Sequence, residues 1–330
     1  MGGPITITLL TSGAGANAGF RLLNNASGIA GNPSAPLTLD GNNHSAGIAV
    51  QVAPGTASFT SSLSNVTIQN TLGDAIRVTN GTLTIGGGVV ASGSSADGLH
   101  ITGGSVNINN ASGTQTIFTG NASVGIEATG LGAVSVTGTP GTPVPSNSGT
   151  VLTSFNGTGI HIQQTAGASL TLNSLTGLVA WGSGTRDALF QAGSRVQVRN
   201  SVFGAGPEGI RISTGAGGTA AQNNDISTID LGTAFSFGGN YLQTPNASNG
   251  HHANVGVCLV LAAAQATQTL QVAGDFMTTG ANPGVLVNCA TTAGTVGKAA
   301  NCNANPATTV SVGNATPVST TVTETLSMCN

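Results

Sequence analysis

The chain has 330 residues, 51 of them glycine, with 39% hydrophobic residues, 5% charged residues and a net charge of −3. Seven Lys and Arg are too few for the electrostatic footprint of a nucleic-acid binder, and no apolar stretch reaches the ~18 residues of a membrane span. Abundant Val, Ile and Leu with little net charge is the reverse of a disordered composition.

In chain order, the opening Met-Gly-Gly-Pro has no basic region followed by an apolar core, so it does not read as a signal peptide and suggests a mature chain. A short phrase then recurs: a small residue, an apolar one, a variable one, an apolar one. It reads Gly19-Phe20-Arg21-Leu22, Gly47-Ile48-Ala49-Val50, Ala75-Ile76-Arg77-Val78 and Gly98-Leu99-His100-Ile101. It continues as Gly125-Ile126-Glu127-Ala128, Gly159-Ile160-His161-Ile162, a degraded Ala188-Leu189-Phe190-Gln191 and Gly209-Ile210-Arg211-Ile212. The steps fall mostly in the roughly 20–50-residue range of solenoids. A second apolar-x-apolar phrase follows at a nearly constant offset, as in Leu83-Thr84-Ile85, Val106-Asn107-Ile108, Leu170-Thr171-Leu172-Asn173 and Val196-Gln197-Val198. Alternation sends every second side chain inward. Asn and Gly at the strand ends suit the left-handed backbone of sharp corners.

One such unit cannot bury its apolar face alone, so the units stack and each strand pairs with its counterpart in the next coil. The expected fold is all-β, a single-stranded parallel β-helix of roughly ten coils over residues 1–252. The final coils and an irregular Cys-containing C-terminal cap take up 253–330. Variable loops leave at the corners, at Gly138–Gly149 and Asn240–His252. All four cysteines, Cys258, Cys289, Cys302 and Cys329, lie in the last quarter. They predict two disulfides of undetermined pairing and an oxidising compartment. Their spacing lacks the close Cys pair of a zinc knuckle.

The unit Val196-Gln197-Val198-Arg199-Asn200-Ser201-Val202-Phe203 leading into Gly209-Ile210-Arg211-Ile212 resembles the right-handed β-helix of the pectate-lyase-like superfamily. Gly238-Gly239-Asn240 and Gly256-Val257-Cys258 are similar to segments of bacterial surface and secreted proteins of that superfamily. The resemblance implies a right-handed coil and an extracellular or cell-surface location. It does not imply catalysis, because the enzymes' motifs are missing. The polygalacturonase set is represented by Arg211-Ile212-Ser213 alone, and the pectate-lyase Trp-Ile-Asp-His phrase is absent.

With the phrases in register, the variable position reads Arg21, Ala49, Arg77, His100, Glu127, His161, Phe190, Arg211. The residue before the small one reads Ala18, Ala46, Asp74, Asp97, Val124, Thr158, Asp187, Glu208. One face of a nearly neutral rod therefore gathers the charge, and Arg21, Asp74, Arg77, Asp97, His100, Glu127, His161 and Arg211 are the candidate binding residues. Successive rungs put the carboxyls of Asp74, Asp97 and Glu127 about 5–10 Å apart. That suits a calcium ion or a glycosidase pair.

The leading expectation is a non-catalytic structural, adhesive or glycan-binding β-helix without cofactor, whose partner is a glycan or another surface protein. A terminal coil at 5–23 could stack on another copy. The runner-up is a polysaccharide lyase or glycosidase using Asp97, His100, Glu127 and His161. A third reading takes Thr38, Thr67, Thr84, Asn107, Ser135, Thr171 and Gln197 as one outward column and makes it an ice-binding face. His251-His252 is read as polar loop and not as a metal pair.

Overall fold

A computed structural model describes residues 5–8, 18–23, 28–43, 46–51, 60–110, 114–139, 151–206, 208–233, 235–243, 255–261, 268–272, 275–278, 285–290, 296–297, 301–305 and 308–313. The loops at 140–150 and 244–254, the latter with His251 and His252, lie outside them. Of Arg21 and the strand around it, only the backbone pairing is described.

Three parallel sheets wrap one core. Sheet I starts at Ile5–Thr8 and has ten strands; sheets II and III start at Ala18–Leu23 and Gly28–Ala30 and have eleven each. Every third strand in sequence joins the same sheet, so each turn of chain adds one strand to all three walls. This is a parallel β-helix. A 3-10 turn at Gln222–Asn224 is the sole helical element among the described residues. The parallel stack runs past residue 252 through Val255–Val260 and Val285–Ala290. Sheets II and III then close with antiparallel strands, Val296–Gly297 and Asn301–Asn305.

Alternation fills the core. In sheet II, Ile76, Leu99, Ile126 and Ile160 stack in register, as do Val78, Ile101, Ala128 and Ile162, all buried. In sheet I, bulky Phe118 and Phe203 alternate with Ala91, Thr153 and Ala180, so neighbouring rungs interdigitate.

Corner amides that the strands leave unpaired are met from inside. Asn121 Oδ1 accepts from the Ser94 amide at 3.2 Å, and Asn156 Oδ1 accepts from the Asn121 amide at 2.9 Å. Further along, Asn240 Oδ1 accepts from the Ser201 amide, and Asp275 Oδ1 from the Asn240 amide. Unsatisfied buried amides would cost about 1–3 kcal/mol each.

Where sheet I turns into sheet II, six successive coils each spend one left-handed residue. Asn70, Gly93, Gly120, Phe155, Gly182 and Ala205 have φ of 51°, 64°, 65°, 53°, 67° and 62°. Asn and Gly fit there; a bulky Phe155 costs about 1–2 kcal/mol.

Two expectations need correction. The Thr column is not one column: Thr38 and Thr67 pair in sheet I, while Thr84, Asn107, Ser135 and Gln197 belong to sheet III. Thr171 lies in no strand, since that strand is Asn173–Thr176, with Asn173 turned into the core. The flat hydroxyl array required of an ice-binding face is therefore absent from these positions.

The second correction is a one-residue slip. Ala188 and Phe190 pair with Ile160 and Ile162, so Phe190 is buried and Leu189 takes the outward place beside His161. Burying the larger Phe beside small Ala fills the rung, and a slip of one flips every side chain. Arg186 then falls next to Thr158, and Asp187 enters the wall.

Candidate functional site

The outward column of sheet II is continuous. Arg21, Ala49, Arg77, His100, Glu127, His161, Leu189, Arg211 and Cys258 are successive register partners. Pairing in a parallel sheet places these side chains about 4.8 Å apart along the rod. Side chains of that length at that spacing must meet one another before they reach solvent.

They do meet. His100 Nδ1 lies 3.2 Å from Asp74 Oδ2 and 3.5 Å from Asp97 Oδ2, and its Nε2 lies 3.3 Å from Glu127 Oε2. Glu127 Oε1 is 2.8 Å from His161 Nδ1. Arg77 is half-exposed and reaches Asp74 at 3.8 Å. The backbone joins in: Asp97 Oδ1 accepts from the Val124 amide at 2.9 Å, and Asp74 Oδ1 from the Asp97 amide at 3.3 Å. Thr129 Oγ1 stands 3.4 Å from His100 Nε2. Six of the eight sequence-selected residues thus form one network. Arg211 is part of a second, and the side chain of Arg21 is outside the described residues.

His100 bridges Asp97 and Glu127, its Nδ1 facing Asp97 Oδ2 and its Nε2 facing Glu127 Oε2. Burial, with the Glu127 charge, pushes the Asp97 carboxyl up to about 6. Burial also works against ionised Glu127, but the hydrogen bond and charge of His161 outweigh it, and Glu127 is held below the usual range. The Asp74 hydrogen bond raises His100 against the effect of its burial. The environment therefore pushes two adjacent carboxyls apart, one toward the acid form and one toward the base form. His161 Nε2 is buried without a hydrogen-bond partner.

Asp74, Asp97 and His100 each offer a ligand atom within 4.8 Å of the others, the one such group among the described residues. These atoms are already spent on each other in the contacts above.

The second network lies further along the same face. Glu208, nearly fully buried, is 3.4 Å from Arg186 Nε and accepts from Arg211 Nε at 2.8 Å, with a second Arg211 bond through Nη2. Arg186 had no place in the sequence column because of the slip; reading Ala188 and Phe190 as the inward pair would have found it. Asp187 is fully buried and accepts from the Ser183 amide at 3.2 Å and the Gly206 amide at 3.1 Å. Its burial raises it well above the usual carboxylate range. It is a wall element and not a surface charge.

Cys258 is buried and disulfide-bonded. The side chains of Cys289, Cys302 and Cys329 lie outside the described residues. No known protein family, no curated protein and no solved structure matches the chain.

Proposed function

We propose that this chain is a non-catalytic β-helical rod of the pectate-lyase-like type, displayed outside the cell or on its surface in a structural or adhesive role. The observation that supports this reading is the self-pairing of the stripe. His100 alone engages three carboxylates through its two ring nitrogens. Charges bound to each other across successive coils stabilise the stack and leave little for a substrate.

A second reading has one observation in its favour. Asp97 pushed up to about 6 beside a Glu127 held low is an acid next to a base, as a polysaccharide lyase or glycosidase would use. Incubation with a panel of uronate and neutral polysaccharides, with and without calcium, decides between the two. The rod reading predicts no new reducing ends and no unsaturated product. Turnover lost in both His100→Ala and Glu127→Gln would establish the enzyme instead.

A further inference from the structure

The chain has one Trp and nine Phe, and it places two of these rings in adjacent coils at one corner. Phe155 is 69% exposed. It takes the left-handed position that Asn70, Gly93, Gly120, Gly182 and the small Ala205 fill in other coils. A bulky ring there is strained, and its exposure returns little burial in exchange. Strain without a packing return is the mark of a residue kept for contact with something else.

The surroundings fit the ring. A Cβ on Gly182 in the next coil would sit 3.1 Å from Phe155 Cε1, so the ring leans over a glycine that leaves it room. On the other side, a Cβ on Gly120 would meet nothing within 4 Å. Trp181 is the register partner of Ser154, the residue before Phe155, and points out half-buried from the neighbouring strand. Its indole N–H has no acceptor among the described residues, and beyond it in the column comes Gly204, with no side chain to cover it.

The chemistry around the rings is neutral and hydroxylated. In this strand-end column Gln69, Ser92, Thr119, Ser154, Trp181 and Gly204 carry no charge, and its one acid, Asp40, lies four rungs before Ser154. Ser154 and Thr119 hydroxyls are 3.0 Å apart. A ligand for this corner needs a flat apolar face for the rings and a hydroxyl at its rim for the indole N–H; the Ser154 hydroxyl is buried and donates to Thr119 Oγ1. An apolar protein side chain would cover Phe155 and leave the indole N–H unmet. An anionic polymer would find no cation in this column.

We propose that Phe155 and Trp181 form a stacking subsite for a neutral hexopyranose unit, on the sheet I–sheet II corner and separate from the charged stripe. It rests on the reading of the chain as an adhesive rod and gives that rod a ligand class.

The lone Trp181 supplies the probe. Its emission is followed while neutral hexose oligomers (β-1,4-, β-1,3- and α-1,4-linked glucohexaoses) are titrated to millimolar concentration, with oligogalacturonate as the charged control. A saturable change with a neutral oligomer, weakened at least about tenfold in Phe155→Asn (about 1.4 kcal/mol), is expected. The same substitution should raise the melting temperature by about 1–3 °C, because Asn accepts the left-handed backbone. Loss of binding in a variant that is more stable cannot come from misfolding. The proposal is overturned if no neutral oligomer moves the emission, if Phe155→Asn binds as the wild type does, or if oligogalacturonate binds better. Turnover of any of these oligomers would instead count against the non-catalytic reading and leave the stacking site standing.

Discussion

Asp97, Asp187 and Asp275 give this protein an acid-leaning stability. Burial pushes Asp97 up to about 6 and Asp275 up to about 8, and it raises Asp187 as well. A folded-state pKa above the unfolded one means that folding retains protons. The stability this contributes is complete below the unfolded carboxylate range and is lost as pH rises through the folded value. His100, raised by Asp74, has the same sign above its own unfolded value. Glu127, held low, has the opposite sign and loses its contribution as pH falls below about 4. The melting temperature should therefore peak near pH 4–5 and decline toward pH 8, below the more usual optimum of about 5–8. Asp275→Asn should remove the last part of that decline, because Asn240 can still donate to an amide oxygen in place of the carboxylate, as it now does to Asp275 Oδ1. A flat melting profile from pH 5 to 9, or an Asp275→Asn profile superimposable on the wild type, would contradict this. At this scale the sequence showed that Asp74, Asp97, His100, Glu127 and His161 share a face. It could not show that they touch, because side-chain reach across a rung depends on rotamers.

At the scale of the strand and its corner, the interior amide ladder is the feature to test. A Cβ on Gly125 would collide with Thr153 Oγ1 and lie 2.6 Å from Asn156 Nδ2. Asn156 Nδ2 donates to the Phe118 carbonyl at 3.0 Å and to Thr153 Oγ1 at 2.9 Å. Gly125→Ala should therefore break that corner and cost about 1–3 kcal/mol, read by denaturant unfolding. Phe118→Ala, in a fully buried position, should cost about 3–5 kcal/mol. Strand positions were legible wherever alternation was clean, as in Ile76 to Val78 or Val106 to Ile108. They were misread at Arg186–Gln191, where Ala-Leu-Phe-Gln satisfied the repeat phrase in the wrong register. Volume decided that strand, and the phrase does not encode volume. Leu170-Thr171-Leu172 has the pattern of a strand, yet the strand begins after it at Asn173. There a core amide that serves the Val134 amide at 2.9 Å outweighs apolar alternation.

For the whole molecule, the repeat was enough to give a parallel β-helix of about ten coils, because stacking is the one way such units bury their apolar faces; only two phrases per coil were legible, and the third wall is seen in the sheet order alone. The threonine column failed because a sequence does not say which of two adjacent walls a short strand joins. What the rod uses its charge for is the larger question. If the stripe on sheet II binds coil to coil, then His100 and Glu127 from neighbouring coils depend on each other. The direct measurement is a double-mutant cycle of His100→Asn and Glu127→Gln, read by denaturant unfolding at pH 6. A coupling energy of about 0.5–3 kcal/mol, with no polysaccharide turnover in any of the four proteins, is the predicted result. Additive effects within about 0.3 kcal/mol would mean that the two side chains are not spent on each other, and would contradict the account.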